Sequence, residues 1–141
     1  MSGKAIPKPD DLNLKFFQKI AETGRMHVQE CRRCGHHSHP PRYYCCECFS
    51  PDWRFKEIGG DGTVYSHTLS HYTAEPAWRD ELPFATVVVE LDEGPRIVGS
   101  ARTADPASIR IGQRVRVLPE RRGDDFAFFT VVFDKDGYPD V

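Results

Sequence analysis

Near the N-terminus the apolar positions follow a helical period. Leu12, Phe16 and Ile20 stand four apart, with Phe17 and Ala21 beside them. That spacing predicts one amphipathic helix over roughly 11–23. Asp10 and Asp11 precede the stripe and can cap it, and Gly24 follows where a left-handed C′ residue belongs. The stripe packs on the body of the protein or docks a partner chain.

After the helix the period disappears. Residues 26–50 alternate with no rule, hold a crowd of Cys and His, and include Pro40-Pro41. Turn chemistry dominates there. From Trp53 onward short β-type runs take over: Trp53–Ile58, Thr63–Tyr72, Phe84–Leu91, Arg96–Ala101, Arg114–Leu118 and Phe126–Phe133. Gly59-Gly60-Asp61-Gly62, Asp92-Glu93-Gly94-Pro95 and Arg122-Gly123-Asp124 separate several of them. Val115 and Val117 alternate with arginines, as suits a wall with one wet face. Such a series of short strands predicts a small closed barrel. Thr73–Pro83 interrupts it with Pro76, Trp78, Arg79 and Pro83. A loop of that length in a compact barrel is functional or mobile.

Composition narrows the picture. A chain of 141 residues with 39% hydrophobic content fits one ordinary domain, or a small module joined to a barrel. Its longest nearly apolar run, Phe84–Val89, falls far short of the roughly 20 residues of a membrane span. Met1–Asp10 carries lysines with no apolar run behind them, so a cytoplasmic soluble protein is the expectation. The formal charge of −2 and pI near 6.3 argue against a dedicated nucleic-acid binder. The charge is uneven. Arg25 to Lys56 holds six Lys/Arg against three Asp/Glu, together with His27, His36, His37 and His39. A local basic patch suits a small anion or an acidic partner surface.

All five cysteines fall between positions 31 and 48. A disulfide scaffold would spread them, and five is odd. Cys31-Arg32-Arg33-Cys34 is one C-x-x-C hook, and Cys45 with Cys48 forms a second. Two hooks can close a tetrahedral four-thiolate site of the kind zinc takes in structural roles, and Gly35 supplies the turn after the first. The ligands alone also admit iron. Cys46 is spare, and the three nearby histidines fall outside a shell that four thiolates already fill. A filled shell folds the chain and runs no chemistry. Arg32, Arg33 and Arg42 are placed to offset the thiolate charge. No catalytic motif appears. Ser70 between His67 and His71, with Glu90 and Asp92, reads as ordinary surface.

Three runs carry a resemblance: Cys31-x-x-Cys34-Gly35, then Pro40-Pro41-Arg42-x-x-Cys45-x-x-Cys48, then Gly60-x-Gly62-Thr63-Val64-Tyr65-Ser66. Val89-Glu90-Leu91-Asp92-Glu93-Gly94-Pro95-Arg96 and Ile111-Gly112-Gln113-Arg114-Val115 extend it. The chain resembles the acyl-CoA-associated family once known as a domain of unknown function. That family has an N-terminal helix, a rubredoxin-like zinc ribbon and a C-terminal OB-fold. Cys46 departs from it, since the family often has proline there. The resemblance implies a mainly β fold in three segments: a helical 1–25, a zinc ribbon 26–52 and an OB-fold barrel 53–141. It implies one structural zinc on Cys31, Cys34, Cys45 and Cys48, and a thiolase-fold catalytic subunit as partner. The partner holds the nucleophile, so this chain is a non-catalytic subunit of a complex acting on a CoA ester by thiolytic, aldol or acyl-transfer chemistry.

Coenzyme A presents phosphates and an adenine, so its site wants Arg and aromatic surface. Arg32, Arg33, Arg42, Tyr43, Tyr44 and Phe49 offer both, and Trp78 on the Thr73–Pro83 loop is a further candidate contact. The simpler alternative is that the arginines only balance the thiolates. The competing class is a nucleic-acid-binding ribbon and OB module, against which the acidic barrel half speaks.

Overall fold

The computed structural model describes residues 3–134; the outermost residues of the first and third segments, 1–2 and 135–141, lie outside the described residues. The order is a helix α1 (Asp11–Thr23), then β1 (His27–Cys31), β2 (His37–Ser38), β3 (Trp53–Glu57), β4 (Asp61–Ser70), β5 (Phe84–Leu91), β6 (Arg96–Arg102), β7 (Arg114–Arg122) and β8 (Phe126–Phe133). Short 3-10 turns occupy Pro76–Glu81 and Pro106–Ser108. The mainly β class with one N-terminal helix is as the sequence predicts.

α1 forms where the stripe placed it. Leu12, Phe16, Ile20 and Ala21 are its buried residues. Gly24 ends it in the left-handed region at φ 69, with its amide donating to the Ile20 carbonyl at 2.8 Å. The expected acidic cap does not form. Asp10 makes no side-chain cap bond. Asp11 instead accepts from the Tyr43 hydroxyl of the ribbon. That carboxylate raises the Tyr43 pKa, since the tyrosinate would face it.

β1, β2 and β3 make a three-stranded antiparallel sheet with β1 central. The run from Trp53 is therefore the third strand of the ribbon, opposite Cys31, and not the first strand of the barrel. β4, β5, β6, β8 and β7 close the barrel in that order. β6 and β8 run parallel, and the other barrel pairs are antiparallel. β4 is long and shifts register between Val64 and Ser66, which lets it pair with β5 along its length and with β7 at its start. Close approach there requires glycine. A Cβ on Gly60, at φ +86, would meet the Val117 carbonyl oxygen at 2.3 Å. One on Gly62 would meet that of Glu90 at 2.4 Å.

The barrel core holds Val64, Val87, Val89, Ile97, Val115, Val117, Val131 and Phe133, and β5 alternates buried and half-buried positions throughout. Met26 and Val28, from the ribbon side, complete it. A second cluster joins the three parts. Phe16 and Ile20 of α1 meet Ala127 of β8, with Phe17, Phe55 and Phe129 packed against them. The Thr73–Pro83 segment is ordered by a single 3-10 turn, in which Trp78 packs at a tilt on Phe84, ring centres 5.3 Å apart, and lies 3.9 Å under the Lys4 ammonium.

Candidate metal centre and the cleft beside it

The two hooks are built alike. The Cys31 amide donates to the His36 carbonyl at 2.9 Å, and the Cys45 amide to that of Ser50 at 3.0 Å. The Gly35 amide reaches back to the Cys31 carbonyl, and the Phe49 amide to that of Cys45, both at 2.9 Å. Gly35 and Phe49 both sit at positive φ, 79 and 62. The turn that glycine serves in the first hook is therefore imposed on a bulky residue in the second.

This repetition brings four sulfurs together. Those of Cys31, Cys34, Cys45 and Cys48 all lie within 4.8 Å of one another. Cys31 and Cys48 are 3.5 Å apart, Cys34 and Cys45 3.6 Å. A tetrahedron with metal–sulfur bonds of about 2.3 Å has edges of about 3.8 Å, so the set fits a four-thiolate ion. Amides support the sulfurs, from Cys34 to Cys31 at 3.5 Å and from Glu47 to Cys45 at 3.4 Å. The Cys34 amide lowers the Cys31 pKa. Cys34 moves the other way: the His36 amide favours its thiolate, but desolvation and the neighbouring sulfurs outweigh it. The crowded sulfurs therefore oppose ionisation of Cys34, a cost that a cation among them would relieve.

The candidate CoA-contact residues separate into three places. Arg32 lies 3.4 Å from Asp52, so part of its charge answers a carboxylate. Arg33, Tyr43 and Tyr44 are exposed on the ribbon, the two rings 54% and 63% open. Arg42 is held by its backbone. The buried Gln29 amide donates to the Arg42 carbonyl at 2.7 Å and accepts from its amide at 2.9 Å. Arg42 lines a cleft of about 550 Å³ with His36, His37, His39, Cys46 and Glu93. Trp78 lines a different cleft, with Lys4 and Phe128.

The histidines are not among the four-sulfur group. His37 spans the Glu30 carboxylate at 2.9 Å and the Glu93 carbonyl at 3.2 Å, tying the ribbon to the β5–β6 turn. With Arg54 it holds the Glu30 carboxyl well below the ordinary range, to about 2. His39 packs on Phe16 and Phe129, and burial pushes its pKa down to about 4. Of the acids near the barrel turn, Glu90 pairs with Arg96 at 3.2 Å and Asp92 with Arg114 at 2.8 Å. Gln29 escaped the sequence reading, and so did the turn role of Phe49, which was read only as an aromatic surface. The repeat of hook spacing was a usable signal for Phe49, because a residue following the second Cys must turn as Gly35 does.

Known proteins share this arrangement. The model for the rubredoxin-like zinc ribbon domain of ChsH2 matches residues 19–54, and that for its C-terminal OB-fold domain matches 55–118. A DUF35 domain-containing scaffold protein of Methanothermobacter thermautotrophicus is 31% identical, over 74% of this chain and 79% of its own length. A probable enoyl-CoA hydratase alpha subunit of Thermomonospora curvata is 37% identical over 71% of this chain, which spans only 31% of that longer protein. A solved chain described as Ltp2-ChsH2(DUF35) aldolase is 30% identical with a TM-score of 0.79, covering 92% of this chain and 99% of that one. A zinc ribbon feeding a five-stranded barrel, with the matches falling on both, places this chain in the ChsH2-like DUF35 family.

Proposed function

We propose that this chain is a non-catalytic subunit of a cytoplasmic thiolase-like acyl-CoA complex, stabilising a thiolase-fold partner and helping to hold its CoA ester. The observation that carries this is the likeness, over nearly the whole of both chains, to a subunit of a solved aldolase complex. Cys31, Cys34, Cys45 and Cys48 would hold one zinc. A shell of four thiolates leaves no open position, so the ion ties β1 to the β2–β3 connection and supplies no Lewis acid to a substrate. Arg42 is the favoured phosphate contact, because Gln29 fixes its backbone and the guanidinium costs less to order. Arg32, Arg33, Tyr43, Tyr44 and Trp78 are the remaining candidates. Neither nucleic acid nor membrane is proposed as a partner. Among the described residues no helix is long and apolar enough to cross a bilayer.

The test is co-expression with a thiolase-fold partner encoded beside this chain, then assay of the complex and of each part on a panel of CoA esters. Turnover should require the partner's cysteine and be absent from this chain alone. Arg42→Glu should raise KM for the ester about 10-fold or more while zinc content holds. Robust turnover by the isolated chain would overturn the proposal. The likeness to a hydratase alpha subunit favours a second reading, in which the same scaffold serves enoyl-CoA hydration. Including an enoyl-CoA in the panel, with a hydratase-fold partner, decides between them.

A further inference from the structure

Cys46 is the cysteine that the two hooks leave over. Its sulfur lies 3.4 Å from His36 Nε2. The Glu47 carboxylate joins them, and the three ligand atoms lie within 4.8 Å of one another. The geometry points to a second metal site, formed by His36, Cys46 and Glu47 beside the four-sulfur centre and sharing no ligand with it.

Three arguments support it. The first is distance. Metal–nitrogen and metal–sulfur bonds of about 2.0 and 2.3 Å, at a tetrahedral angle, put nitrogen and sulfur about 3.5 Å apart. The observed 3.4 Å needs a shift of about a tenth of an ångström to match. The second is support. The His36 carbonyl is fixed by the Cys31 amide at 2.9 Å, and the Glu47 amide points to the Cys45 sulfur at 3.4 Å. The hooks thus hold the backbone of two of the three ligands. The third is setting. His36 and Cys46 line the cleft that also holds Arg42. The cleft, of about 550 Å³, leaves room beside them for a small fourth ligand.

The donor set selects the ion. One thiolate, one imidazole and one carboxylate exclude a hard cation such as magnesium and suit zinc or cobalt(II). Three protein ligands leave a fourth position to water or a small anion, unlike the closed four-sulfur centre. This site is exchangeable where the other is structural.

The test uses the full chain purified in zinc and freed of loosely held metal. Metal per chain is counted, and cobalt(II) is then titrated in while the thiolate-to-cobalt charge-transfer band is followed. The chain should bind one equivalent more than Cys46→Ala and one more than His36→Gln, each variant checked for an unchanged far-UV spectrum. The extra cobalt should carry a sulfur charge-transfer band that Cys46→Ala abolishes. Glu47→Gln should weaken the extra equivalent. The four-sulfur centre contributes alike to every form, so the difference between them reads this site alone. Equal metal counts in the three forms, or an extra equivalent that survives both Cys46→Ala and His36→Gln, would overturn the site.

Discussion

Replacing Phe16 by Ala tests how the three parts are held together. The ring is 1% exposed. It meets Phe17 at 5.3 Å, His39 at 5.2 Å, Phe55 at 5.8 Å and Phe129 at 6.4 Å, so one side chain touches helix, ribbon and barrel. Loss of the buried ring removes a transfer term of about 1.5–3 kcal/mol. The neighbours come from separate elements anchored by their own hydrogen bonds, so they cannot all collapse into the gap. A cavity term adds to the first, bringing the total to about 3–5 kcal/mol. Near the midpoint a 141-residue chain gains about 0.3 kcal/mol/K of entropy on unfolding, so Tm should fall by about 10–17 °C. Urea titration followed by circular dichroism should show a lower midpoint at unchanged slope. A loss below about 1.5 kcal/mol, the usual ceiling for a volume-conserving swap, would refute the claim that this ring joins the parts.

Lowering pH should destabilise the same cluster. The unfolded His39 binds a proton near pH 6.5 but the folded one only near 4, so the contribution of this residue to stability is lost as pH drops through that window. The span corresponds to about 3 kcal/mol, and His39→Phe should flatten the curve of stability against pH between those values. Gly60→Ala should cost at least about 2 kcal/mol by thermal melting, because its Cβ would strike the Val117 carbonyl at 2.3 Å. Phe49→Gly should raise stability by about 0.5–1 kcal/mol at unchanged metal content, since relief of left-handed strain exceeds the added chain entropy. A melt showing no gain would mean that the second hook carries no such strain.

The parts of the fold legible in the sequence are those with a period or an unbroken apolar run. α1 was placed by spacing alone, and β5 by its apolar run, although its burial alternates. β8 also emerged whole, from its run of aromatics and valines. β1 did not. Its burial runs almost unbroken, and two of its buried residues, His27 and Gln29, are polar. Their partners are backbone atoms, Arg25 O at 2.9 Å for His27 and both peptide groups of Arg42 for Gln29. Polar residues turned inward for that purpose erase the alternation that marks a strand. β3 was read as a strand but given to the wrong sheet, because strand pattern says nothing of which partner lies alongside. The four-cysteine set was legible because hook spacing is a local property. The His36–Cys46–Glu47 group was not, since it depends on how the first hook's exit lies against the second.

β1 also limits how this fold can be inherited. Its residue Val28, with Met26 just ahead of it, stands in the barrel core although the strand pairs only within the ribbon. The ribbon is in effect the stopper of the barrel. A fragment starting at β4 would lack those two side chains and open its valine-lined interior to water. The smallest transferable unit therefore runs from α1 to β8, and a longer protein that borrows the barrel must borrow the ribbon with it.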